Sequence, residues 1–126
     1  MKIAFDVDDT LIIPSIALNI DGGRDTPNYE TINLYKWFQD QGHEMFVWSG
    51  SGIDWATAWV EKLGLAPCRV IQKEKRLTLD TDDGQPAPYI DIAFDDCDVD
   101  LAKMNVKVKR INNDISRADW NKTKRI

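Results

Sequence analysis

The residues able to do chemistry gather at the ends of apolar runs. "KIAFDVDDTL" (2–11) closes an apolar run with Asp6, Asp8 and Asp9, three carboxylates in four positions, followed by Thr10. A second acidic pair, Asp95 and Asp96, ends "YIDIAF", with Asp98 and Asp100 close behind. Between them, Ser49 follows "EMFVW", and Lys73 and Lys75 follow "CRVIQ". Side chains two apart on an extended backbone point the same way, so Asp6 and Asp8 are expected to converge on one ligand while Val7 faces away. Asp9 is then left on the Val7 side, in a turn with Thr10. Two carboxylates this close raise each other's pKa unless a cation joins them. Oxygen donors without clustered His or Cys suit a hard cation, and Mg²⁺ accompanied by a phosphoryl group is the usual occupant.

The elements that must position these groups alternate between strand and helix. "KIAFD" reads as a buried strand, because strands covered on both faces lose their polar alternation. The segment 12–25, with Pro14 and Gly22-Gly23, reads as a small loop or flap over the strand end. A helix is expected from Thr26 as N-cap and Pro27 as first helical residue to Gly42, with Thr31, Leu34, Tyr35 and Phe38 on its apolar face. "EMFVW" at 44–48 is the second strand. Residues 53–63 form the second helix, burying Ala56, Trp59, Val60 and Leu63 and ending at Gly64. Strands follow at 68–72, 89–94 and 106–111. The polar connection at about 74–88 has room for a short hairpin around "TDDGQ", and "DVDLAKM" for a short helix. This order predicts one α/β domain over 1–126, a three-layer Rossmann-like fold whose mostly parallel sheet of about five strands carries helices on both faces. Ligands in such sheets bind beyond the carboxyl ends of the strands, where every chemical residue named above falls.

Composition narrows the class. A chain of 126 residues with 43% hydrophobic residues and five Trp is one domain's worth with a packed core. No run approaches the roughly 18 apolar residues of a membrane span, and the start has no signal-peptide profile, so the expected location is the cytoplasm. Cys68 and Cys97 lack CxxC spacing and are expected as buried or half-buried free thiols. The net charge of -5 conceals a basic end, with eight basic and two acidic residues over 103–126. That end is a surface for a phosphate-rich partner or a solvated tail.

The motifs resemble those of the haloacid dehalogenase superfamily of phosphohydrolases: "AFDVDDTL" as the first, "MFVWSG" as the second, a lysine of "IQKEK" as the third and "DIAFDD" as the fourth, in order over residues 2–96. Asp9 stands where many members have glycine. The resemblance implies that Asp6 is the nucleophile forming an aspartyl-phosphate and Asp8 the general acid and base. It further implies that Ser49 and a lysine hold the phosphoryl oxygens. Lys73, first after the strand, is preferred for that role, with Lys75 the alternative. Mg²⁺ would take a carboxylate oxygen of Asp6, the backbone carbonyl of Asp8 and the carboxylate of Asp95, with Asp96 helping. An acid at Asp8 favours phosphate ester hydrolysis.

Two other readings stand beside this one: a receiver-like signalling domain, which wants an Asp at the end of the third strand where Gln72-Lys73 stands, and a phospho-binding module without catalysis. Neither insertion, 12–25 or 74–88, is long enough for a cap domain. An open site suits a large phosphorylated substrate, such as a polynucleotide end or a phosphoprotein, or a homo-oligomer whose neighbour covers it. The substrate's class is otherwise undetermined. Nucleic acid is suggested by basic charge alone, which carries little specificity.

Overall fold

Strand β1 (Lys2–Asp6) forms the centre of the sheet, pairing in parallel with β4 (Glu44–Trp48) on one side and β6 (Ile92–Asp95) on the other. The computed structural model describes residues 1–14, 25–73 and 89–110. Strands β5 (Arg69–Val70) and β7 (Met104–Lys107) complete a five-stranded parallel sheet in the order β5-β4-β1-β6-β7. The order reverses direction at β1, so a crevice opens between the ends of β1 and β6, where α/β sheets bind ligands. A separate pair, β2 (Ile12–Ile13) and β3 (Thr26–Pro27), is antiparallel and brackets residues 15–24, which lie outside the described residues.

Alternation along each strand sorts the core into two layers. Ile3, Phe5 and Val7 of the first segment join Met45, Val47 and Phe94 on one face, with Ile32 and Tyr35 of α1 (Tyr29–Asp40) and Ala56, Trp59 and Val60 of α2 (Ile53–Leu63) packed on them. Phe5 stacks on Phe94 at 4.5 Å between ring centroids and meets Tyr35 edge-on at 5.2 Å. Ala4, Phe46, Trp48 and Ala93 face the other way, where Ile90, Leu101 and Ala102 cover them. Both helices therefore lie on one face. Helices on both faces were expected, but among the described residues the second face is covered by irregular chain.

Residues 98–103 show why. The carboxamide of Asn105 accepts from the backbone N–H of Leu101 at 2.9 Å and of Ala102 at 3.0 Å, and donates to the Ala102 carbonyl at 2.9 Å. One side chain thus satisfies backbone groups that a helix would have paired, and the expected short helix is absent.

Helix α1 starts two residues later than expected. Thr26 and Pro27 are engaged in β3, and Asn28 is the N-cap, accepting from Thr31 N at 3.3 Å. The same carboxamide donates to the Thr10 carbonyl at 3.0 Å, tying the helix start to the turn after β1. Thr31, Ile32 and Tyr35 form the buried stripe, and Leu34, on its flank, is 38% exposed. Helix α2 keeps its expected limits and ends at Gly64, whose φ of 64° is the left-handed cap that glycine adopts without strain. Strand boundaries shift: β5 keeps only Arg69–Val70 of the expected 68–72, and β6 is Ile92–Asp95 where 89–94 was expected. Strand β7 is Met104–Lys107 where 106–111 was expected. The 74–88 hairpin falls outside the described residues. Among them, no helix is long and apolar enough to cross a membrane.

Candidate active site

The site grows out of the switch between β1 and β6. Phe5 pairs with Phe94 in register, so Asp6 and Asp95 stand side by side one residue further along. Both are almost fully buried, at 5% and 1% exposure. Lys73, three residues beyond the end of β5, crosses the top of β4 and sets its ammonium between them, 3.1 Å from Asp6 Oδ1 and 2.6 Å from Asp95 Oδ2. Asp95 Oδ2, fully buried, has this ammonium as its partner. Oδ1 of the same residue accepts from Cys97 N at 2.9 Å.

Burial, and the Asp95 carboxylate beside it, push the Asp6 carboxyl from 3.8 up to about 7 against the pull of Lys73. For Lys73, burial pulls the ammonium down, but Asp95 and Asp6 outweigh it and the net direction is up. The carboxylates that disturb Asp6 are thus Asp95 and, more weakly, Asp96, from the neighbouring strand end, and not Asp8, two residues along the chain as expected. After Asp6 the backbone stops being extended: the Val7 carbonyl accepts from the N–H groups of Thr10, Leu11 and Ile12 at 3.2, 2.9 and 3.1 Å. This tight turn buries Val7 with the helix-side core, as its alternation requires, and brings the Thr10 hydroxyl to 3.5 Å from Asp6 Oδ2.

Asp8 occupies a half-buried place with neighbours of its own. Burial raises its carboxyl, the Trp55 and Ser51 side chains lower it by donating toward it, and Asp25 and Asp96 raise it. Asp9 takes a left-handed backbone with φ of 62°, which fits the expected turn role. Its carboxylate does not fall on the Val7 side, however, but lies 4.0 Å from Arg110 Nε.

Ser49, buried at the end of β4, accepts from Ser51 N at 3.0 Å, and its carbonyl accepts from Gly52 N at 3.1 Å. In these turn bonds the hydroxyl acts only as an acceptor, so its proton is not used by them. Asp96 is buried and held by Arg110, with Nη2 at 2.7 Å and Nε at 2.9 Å. Lys75 lies outside the described residues.

The structure therefore gathers Asp6, Lys73 and Asp95 into one contact group with Asp96 next to Asp95 in the chain, while Asp8, half-buried, and Ser49, buried at the end of the adjacent strand, keep other partners. Asp95, Asp96 and Cys97 can bring one ligand atom each within 4.8 Å of one another. The expected ligand set lacked Cys97, which is exposed rather than buried, while Cys68 is half-buried; both are free thiols. The donors of Asp6 and Asp95 do fit a hard cation: two buried carboxylates converge on one positive charge, and all their donors are carboxylate oxygens.

Two residues of the site escaped the sequence reading. Arg110 was legible only as one member of a basic end, because its partnership with Asp96 spans fourteen positions and depends on β6 and β7 being neighbours. Trp55 belongs to none of the motifs. Its place in the first turn of α2, directly after the turn that follows β4, was the available signal that it reaches the strand ends. Comparison of the chain with protein-family models, with curated proteins and with solved structures finds no match.

Proposed function

We propose that this protein is a Mg²⁺-dependent phosphomonoesterase of the haloacid dehalogenase type, acting through an aspartyl-phosphate. One observation carries the reading: Asp6 and Asp95, buried on adjacent strands, share the single ammonium of Lys73, two carboxylates on one positive charge. Uncompensated carboxylates are costly to bury, and their retention at a crevice of the sheet favours a cation-dependent role over a structural one.

Mg²⁺, held by Asp6 and Asp95 with Asp96 beside them, would supply charge neutralisation for the incoming phosphoryl group. Asp6 uses the oxygen not committed to the cation to attack phosphorus, while the leaving oxygen departs on the opposite side. Thr10 steadies that carboxylate through its hydroxyl. Asp8, whose carboxyl is raised and so keeps its proton more readily, donates to the leaving oxygen. In the second half, Asp8 removes a proton from the water that attacks the aspartyl-phosphate, regenerating Asp6. Lys73 and the Ser49 hydroxyl offset charge on the phosphoryl oxygens, once Lys73 moves from its present position between the carboxylates.

The test is hydrolysis of p-nitrophenyl phosphate with and without Mg²⁺. The expected result is Mg²⁺-dependent turnover, abolished in Asp6→Asn, with one phosphoryl group on the protein in rapidly quenched samples. A stable phosphoprotein without turnover would instead favour a receiver-like domain, and no reaction with any phosphate ester would overturn the enzyme reading.

A further inference from the structure

The sheet continues past the proposed catalytic carboxylates to a cavity lined in part by basic side chains. Asp95 pairs in register with Lys107 of β7, so Asp6, Asp95 and Lys107 form one row across three parallel strands. Strand spacing sets the Lys107 backbone roughly 10 Å from that of Asp6. Beyond the ends of β6 and β7 lies an open cavity of about 700 Å³, whose charged lining is Asp96, Asp98, Lys107, Lys109 and Arg110. The cavity therefore includes Asp96, beside the proposed metal ligands, together with basic side chains.

These cations are available in different degrees. Lys109 is exposed and has no ion-pair partner among the described residues. Lys107 meets Asp98 at 3.4 Å, but both side chains are mostly exposed, a kind of pair worth little and readily exchanged. Asp96 takes Nε and Nη2 of Arg110, which leaves its third nitrogen for a ligand. Three cations against two carboxylates leave the lining with one net positive charge, and the weak Lys107–Asp98 pair can give up a second cation.

Resting on the phosphatase reading, we propose that this cavity holds a second phosphate of the substrate, so that the preferred substrates are phosphomonoesters whose leaving group itself carries a phosphate or phosphodiester. While the scissile phosphate meets Asp6, the second phosphate reaches Lys107 and Lys109. A nucleoside 3′,5′-bisphosphate and a phosphorylated oligonucleotide end both have this chemistry.

The experiment separates binding from turnover. In the Asp6→Asn background, binding of a nucleoside 3′,5′-bisphosphate, the matching 5′-monophosphate and a short 5′-phosphorylated oligonucleotide is measured by calorimetry with Mg²⁺. The bisphosphate is expected to bind about tenfold more tightly than the monophosphate, and Lys107→Ser/Lys109→Ser to remove that advantage. Both lysines are exposed, so the double variant keeps the fold. With Asp6 intact, the same pair of changes should raise KM for the bisphosphate and leave p-nitrophenyl phosphate turnover as it was. Where the bisphosphate exceeds the monophosphate and the oligonucleotide binds tighter still, both advantages being lost with the two lysines, the site is assigned to a polynucleotide end; an oligonucleotide no tighter than the bisphosphate assigns a mononucleotide. Equal binding of mono- and bisphosphate, or an advantage that survives loss of both lysines, overturns the inference even if p-nitrophenyl phosphate is hydrolysed. Charge-dependent binding without any turnover would leave the cavity standing and remove the phosphatase.

Discussion

Asp6 and Asp95 stand abreast at the ends of β1 and β6, and the Lys73 ammonium lies 3.1 Å from one and 2.6 Å from the other. The pair is a parallel-sheet relationship: one residue beyond the Phe5–Phe94 register, two carboxylates are held closer than their charges favour. Because the folded chain holds the Asp6 proton more tightly than the unfolded chain, Asp6 makes the metal-free protein lose stability as pH rises from 3.8 through about 7. Asp6→Asn removes this penalty, while Lys73 keeps Asp95. In chelator, thermal unfolding of Asp6→Asn should lie above wild type at pH 8 by on the order of 5 °C, or about 1–2 kcal/mol, and the gap should shrink at pH 5. A gap independent of pH would show that Asp6 is not the titrating group.

Arg110 and Asp96 form the second ionic contact of the site. Arg110→Ala leaves a buried carboxylate without its cation, which a partly exposed partner makes worth about 1–2 kcal/mol rather than the larger cost of a fully buried pair. Urea unfolding should register that loss, and Asp96→Asn/Arg110→Ala should recover part of it. An additive double variant would mean that the two side chains act separately.

Trp55 helps set the proton affinity of Asp8. It is 36% exposed, and its ring meets Trp59 edge-on at 6.0 Å, which limits its freedom. Trp55→Phe keeps a ring and removes the N–H that draws the Asp8 carboxyl down, so the Asp8 pKa should rise. The alkaline limb of the kcat profile, which reports the general acid, is then expected to move to higher pH. An unmoved limb with lowered kcat would assign Trp55 a packing role only.

Cys97 offers a readout of cation binding that does not depend on turnover. Burial, with Asp96 and Asp95 beside it, raises its thiol, so alkylation by iodoacetamide at pH 8 should be slow although the residue is exposed. Mg²⁺ at the acidic pair offsets the two carboxylates and should speed the reaction severalfold, with no such effect in Asp95→Asn. An unchanged rate on adding Mg²⁺ would place the cation away from Asp95 and Asp96.

Strand cores and the second helix were readable directly from the chain. "KIAFD" and "EMFVW" carry their own strand signal in a run of apolar residues, and the α2 stripe ends at a glycine, so local periodicity sufficed. The start of α1 was not, because Thr26-Pro27 is as good a local helix signal as Asn28, and the choice was made by pairing with Ile12 and Ile13. The segment 98–103 is similar: its apolar spacing suits a helix, but Asn105, further along the chain, captures its backbone groups.

By itself the sequence determined which residue types reach the strand ends, since the period of two and the apolar runs fix where a carboxylate, hydroxyl or ammonium follows a strand. Which of them touch was decided only by tertiary structure. Strand order makes β6 and not β4 the acidic neighbour of β1, and so pairs Asp6 with Asp95 instead of Asp8. It brings β7 alongside β6, which hands Asp96 to Arg110 and lines the outer cavity with Lys107 and Lys109. Coulomb attraction and repulsion fall off with distance in space and take no account of separation along the chain, so the site's charge balance became legible only once the sheet was assembled.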